Sequence, residues 1–139
     1  MTRLSPASEF AFLAGFAFLL THEIDAAFQL EWRVLPLIRA LPEEAGRISF
    51  VWLHVPLIAG MAYACWHTRP GLRNVARLAL ASFCVVHAGL HWAFSGHQEY
   101  RFDGWESELL IAGAGLAGLV YLTLSATAKV RVNSETPTP

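Results

Sequence analysis

Three ionisable side chains, His22, Glu23 and Asp25, stand at the far end of the apolar run 10–20. They open the stretch 21–33, T-H-E-I-D-A-A-F-Q-L-E-W-R. Run and stretch together exceed the roughly 20 residues a helix needs to cross a bilayer. A charged side chain at the bilayer centre costs at least about 2.5–3.5 kcal/mol on insertion scales. Three on one span therefore need partners from elsewhere in the chain. That requirement restricts the fold to a bundle in which other helices bring polar groups to the same depth.

The rest of the sequence fits that restriction. Of the 139 residues 55% are hydrophobic and only 15% charged, against roughly 25% charged in a soluble domain. The apolar residues gather in four runs, which predicts an all-α integral membrane four-helix bundle. It comprises one domain over 1–128, with spans at about 9–30, 48–66, 75–95 and 105–126. The connection 31–47 carries Val34, Leu35, Leu37, Ile38 and Leu41 among polar residues. It reads as a short helix in the interface, placed to cover the polar cluster as a lid. The tail 129–139 is Ser/Thr/Pro-rich and is expected to be disordered. Arg3 and the apolar run resemble a signal peptide, but Glu9 interrupts the approach and no small-residue cleavage site precedes Thr21. A retained first helix is the expectation.

A net charge of −1 gives no reason to expect a nucleic-acid partner. Cys65 and Cys84 match no metal knuckle or redox pair and read as small core residues. Ala11 with Gly15, and Ala114 with Gly118, make small-residue faces that let helices approach closely, within the chain or in a homo- or hetero-oligomer. Pro56 is expected to bend the second span beyond His54, and Pro70-Gly71 to form a tight turn. Basic residues on the side of the termini are Arg3, Arg69, Arg73, Arg77, Lys129 and Arg131. Those on the other side are Arg33, Arg39, Arg47 and Arg101. The excess places both termini in the cytoplasm by the positive-inside rule.

Alternation of direction then brings the polar groups together. The first span reaches His22, Glu23 and Asp25 late, the second meets His54 early, the third reaches His87 and His91 late, and the fourth begins at Glu106 and Glu108. At about 1.5 Å per residue all of them lie within about 15 Å of one membrane face. His22, Asp25 and Gln29 share one helix side by spacing, and His87 and His91 are one turn apart. Bundles that project His and carboxylates inward build metal sites, and this donor set suits zinc, iron or manganese. The expected ligands are His22, Asp25, His54, His87 and His91, with Glu23 and Glu106 as acid/base groups. The competing account is a network of interhelical hydrogen bonds worth about 0.6 kcal/mol each. In that account His97, Glu99, Glu106 and Glu108 are solvated at the span edge, and Gln29, Glu31 and Trp32 anchor the interface. H-E-I-D-A is not the zinc-protease H-E-x-x-H, and the E-x-x-H pairs of di-iron bundles are missing.

His22-Glu23-Ile24-Asp25-Ala26, Glu31-Trp32-Arg33 and His54-Val55-Pro56-Leu57 resemble the signature of an uncharacterised family of small four-span bacterial membrane proteins. The layout is also similar to that of HXXEE-domain proteins, which carry a His-led acidic motif in the first span and a later His cluster before a Tyr-containing loop. His87, His91 and Tyr100 stand in the corresponding places here, while Asp25-Ala26 replaces the two glutamates. The resemblance covers about 10–105 and implies the membrane fold, a bacterial inner membrane and the importance of these residues, but no reaction.

Three functions are open at this stage. The first is a metalloenzyme in which a divalent transition metal activates water or dioxygen for an apolar or lipid-like substrate. The second is a metal-free acid/base isomerase, which requires an elongated apolar cavity beside Glu23 or Glu106. The third is a structural or assembly subunit of a larger membrane complex.

Overall fold

The computed structural model describes residues 5–135. Among these it contains no strand and four long helices, α1 (Pro6–Phe28), α2 (Glu43–Cys65), α3 (Pro70–Phe94) and α4 (Trp105–Glu135). Each is long and apolar enough to cross a membrane, as the four apolar runs require. Ser5 caps α1, its side chain accepting from the Ser8 backbone N–H at 3.2 Å, with Pro6 in the first turn. That is where a proline's missing N–H costs nothing. Pro70 likewise opens α3 rather than forming a free-standing turn, so the link from α2 to α3 is short. α2 starts at Glu43, earlier than its apolar run. Glu43 and Glu44 occupy its first turn, where the helix dipole favours negative charge.

α4 is the centre of the bundle. It packs most extensively against α1 and α3, while α2 touches α3 and little else among the helices. Small residues permit the close crossings. A Cβ on Gly118 would stand 2.6 Å from the Ala81 carbonyl oxygen, and one on Gly115 2.8 Å from the Ala88 Cβ. Gly15 faces Ala117 of α4 with more room, a Cβ there standing 3.4 Å from the Ala117 Cβ. The Gly15 and Gly118 faces are thus used inside the chain. The core beneath them joins Ala11, Phe12, Leu19, Leu80, Cys84 and Tyr121. Both cysteines are buried and unpaired. At the terminal end of the bundle Arg77 is buried. It donates to the Glu9 carboxylate at 2.7 and 2.8 Å and to the Cys65 carbonyl at 3.0 Å, and its guanidinium lies over the Phe12 ring.

Two segments differ from the expectation. The connection after α1 is not a single short helix. It holds two 3-10 turns, Glu31–Arg33 and Ile38–Ala40, because Pro36 and Pro42 interrupt any longer helix. The segment from Lys129, expected to be disordered, continues α4 to Glu135; residues 136–139 lie outside the described residues.

Candidate metal centre

The late part of α1 and the late part of α3 meet at one end of the bundle. His22 is fully buried. Its ring meets His87 at 5.0 Å, His91 at 4.8 Å and Phe102 at 5.4 Å, centroid to centroid. His87 and His91, one turn apart on α3, bring their Nε2 atoms to 3.2 Å. Helical spacing made that pairing available; the crossing of α1 over α3 adds the third imidazole.

The fourth member comes from outside the helices. α1 ends at Phe28, and Leu30 takes a left-handed conformation with φ 59°. That residue reverses the chain, and the 3-10 turn that follows carries Glu31 and Trp32 back into the protein, where both are buried. Glu31 Oε1 lies 3.8 Å from His91 Nε2. One ligand atom from each of His22, Glu31, His87 and His91 can be chosen so that all lie within 4.8 Å of one another.

This donor set fits a metal on three counts. First, neither ring nitrogen of His22 has a hydrogen-bond partner among the described residues. Leaving a buried polar group unpaired costs about 1–3 kcal/mol, so two such nitrogens on one side chain need an explanation. A metal bond accounts for one of the two. Second, a tetrahedron with zinc–nitrogen bonds of about 2.0–2.1 Å has edges of about 3.3–3.4 Å; His87 and His91 at 3.2 Å match it, while Glu31 at 3.8 Å from His91 stands wider. Third, His91 Nδ1 lies 3.3 Å from the Tyr100 hydroxyl. An Nδ1–H donated to that oxygen leaves the Nε2 lone pair facing the cluster, the usual outer support of a metal-binding histidine.

The electrostatics follow from burial. The Glu31 carboxyl is pushed up to about 7, first by burial and then by the negative charge of Glu23, with His54 opposing. The Tyr100 hydroxyl is also raised, by burial and by the carboxylates of Glu108 and Glu31.

The other expected residues are placed differently. Asp25 lies outside the cluster. Its carboxylate accepts from the Ser107 hydroxyl at 2.6 Å and from the Gln29 amide at 3.1 Å, joining α1 to α4. His54 also stays outside. Its Nε2 sits 2.8 Å from Glu23 Oε2, and its Nδ1 2.6 Å from the Phe50 carbonyl. A carbonyl can only accept, so Nδ1 carries a hydrogen and the Glu23–His54 contact shares one further proton. Glu106 is exposed on the first turn of α4 with its carboxylate folded back over Gly104. Glu31 was read as an interface anchor. Nine residues after His22, it would fall on the opposite side of a continuous helix at 100° per residue. Only the reversal at Leu30 brings it to the same centre, and no periodicity signals that.

Beside the cluster lies a cavity of about 370 Å³, within the usual range for ligand pockets. Glu23, His54, Glu31, His87 and His91 line its inner part, and the segment from Val34 to Ile38 roofs it. Residues of the connection thus line the same cavity as the polar groups, from two turns instead of a helix.

Fold and site together define a helical membrane protein with a buried histidine/glutamate cluster beside an apolar cavity. The chain belongs to a family of unknown function, DUF6713, whose model matches residues 8–128. No curated protein and no solved structure matches it significantly.

Proposed function

We propose that the chain is a membrane metalloenzyme that binds a divalent transition metal through His22, His87, His91 and Glu31 and acts on an apolar substrate in the adjoining cavity. The observation that carries this reading is the doubly unpartnered His22, buried among His87, His91 and Glu31. Three imidazoles and a carboxylate suit zinc, iron or manganese. Such an ion supplies Lewis acidity and an activated oxygen nucleophile. The Glu23–His54 pair, on the same cavity wall, accepts or returns the proton. The layout shared with HXXEE-domain proteins supports the same emphasis on the first and third spans. The distribution of basic residues supports cytoplasmic termini, and the resemblance to small four-span bacterial membrane proteins supports a bacterial inner membrane.

A second reading rests on the Glu23–His54 contact itself. A carboxyl and an imidazole 2.8 Å apart beside an apolar cavity can move a proton between two carbons without a metal, as an isomerase does.

Elemental analysis of protein purified without chelator tests the choice. The expected result is about one transition-metal ion per chain, lost in His22→Ala and His87→Ala and retained in Asp25→Asn and His54→Ala. A wild-type protein that neither carries nor takes up zinc, iron or manganese removes the metalloenzyme reading and leaves the isomerase.

A further inference from the structure

The cavity has a polar inner part and an apolar mouth. At the mouth Leu53 and Leu57 of α2 face Phe83, Leu90 and Phe94 of α3, and all five are exposed on the outer surface of the bundle. They lie within helices long and apolar enough to span a membrane, so hydrocarbon is what this opening meets. α2 packs on α3 and barely touches α1, and the cavity is lined by both α2 and α3. Deeper in, the wall changes to Glu23, His54, His87 and His91.

We propose that a single-chain membrane amphiphile, such as a long-chain fatty acid or alcohol, enters this cavity sideways from the bilayer between α2 and α3. Its hydrocarbon chain lies along the leucine and phenylalanine walls and its polar head against Glu23, His54 and the histidine cluster. This deepens the reading of the site as an enzyme centre, and rests on it for the fate of the head group alone. Three observations carry the choice of occupant. The gradient from apolar mouth to polar interior matches a molecule with one apolar and one polar end. The volume of about 370 Å³ admits about a dozen methylene groups if each displaces roughly the ~30 Å³ of a liquid water. That suits one chain and is too small for a two-chain lipid. The mouth residues lie in helices long and apolar enough to span a membrane, which makes the bilayer the nearest source.

Photolabelling in phosphatidylcholine nanodiscs tests the proposal. The probe is palmitic acid carrying a diazirine at mid-chain, inside the stretch of about a dozen groups that the cavity holds, with the last carbons extending through the mouth. The expected labels fall on α2 and α3 at the cavity, are displaced by excess unlabelled palmitate, and drop at least fivefold in Leu57→Trp, which fills the mouth. Leu90→Trp, from the opposite wall, gives the same loss should Leu57→Trp fail to fold. Leu119→Trp, on the outer face of α4, leaves labelling unchanged. Labelling spread equally over exposed α4 residues such as Leu116, or indifferent to both mouth substitutions, overturns the proposal. So does a cross-link between two copies across the α2–α3 opening that shuts out the probe. Metal content is read on the same samples. Specific labelling without metal supports this inference while ending the metalloenzyme reading, and metal without specific labelling does the reverse.

Discussion

The chemistry of the centre depends on how each donor holds its proton. Glu31, with its carboxyl pushed up to about 7, keeps a proton in the metal-free fold where an unfolded chain has lost it. The sign follows. The metal-free protein loses stability as pH rises from about 4.5 to about 7, and Glu31→Gln removes that slope in thermal melts. Metal binding must displace the same proton, so affinity rises with pH up to about 7 and then flattens. In Glu31→Gln, titrations between pH 6 and 8 are expected to show weaker binding with a shallower pH dependence. Tyr100→Phe removes the outer support of His91. It is expected to lower metal affinity by about 10–100-fold, measured by competition with a chelator, with the fold intact.

At the scale of elements, one backbone position and one helix crossing carry the arrangement. Leu30 pays a left-handed φ of 59°, a conformation that β-branched residues adopt poorly. Leu30 already bears the left-handed cost of about 1–2 kcal/mol; Leu30→Val adds a β-branch there and removes a methylene, and is expected to lower stability further. It should also weaken metal binding, because Glu31 is placed by that turn; melting temperature and metal titration read the two effects separately. The crossing of α3 and α4 has no room at Gly118, where a Cβ would meet the Ala81 carbonyl oxygen at 2.6 Å. Gly118→Ala is expected to cost about 1–3 kcal/mol by forcing the helices apart. Gly60→Ala on α2, where nothing lies within 4 Å, is expected to be neutral or to stabilise by up to about 1 kcal/mol. Melting temperatures in detergent distinguish the two.

For the whole molecule, the centre ties α1, α3 and the connection after α1 into one unit, while α2 stands to the side. On the proposed reading, an ion bridging three segments would stabilise the fold. At a free concentration 100 times its dissociation constant the gain is about 2.7 kcal/mol. Chelation is therefore expected to lower the melting temperature of the wild type by several degrees and that of His22→Ala hardly at all, as measured by differential scanning fluorimetry. The weakly held helix forms one wall of the cavity, facing α3.

Hydropathy and the alternation of four helices were enough to determine the four-helix membrane fold and to put the histidines and Glu23 at one end of the bundle, because both depend on run length and on rise per residue. Helical spacing also marked His87 and His91 as a pair and put His22 at their level. What only the tertiary structure decided is which side chains at that depth face one another. Asp25 turns to Ser107 of α4 and His54 to Glu23. Glu31 joins the three histidines because one left-handed residue reverses the chain after α1. Periodicity describes positions along a continuous helix, and it carries no information about a break in that helix or about the angle at which the next one crosses it.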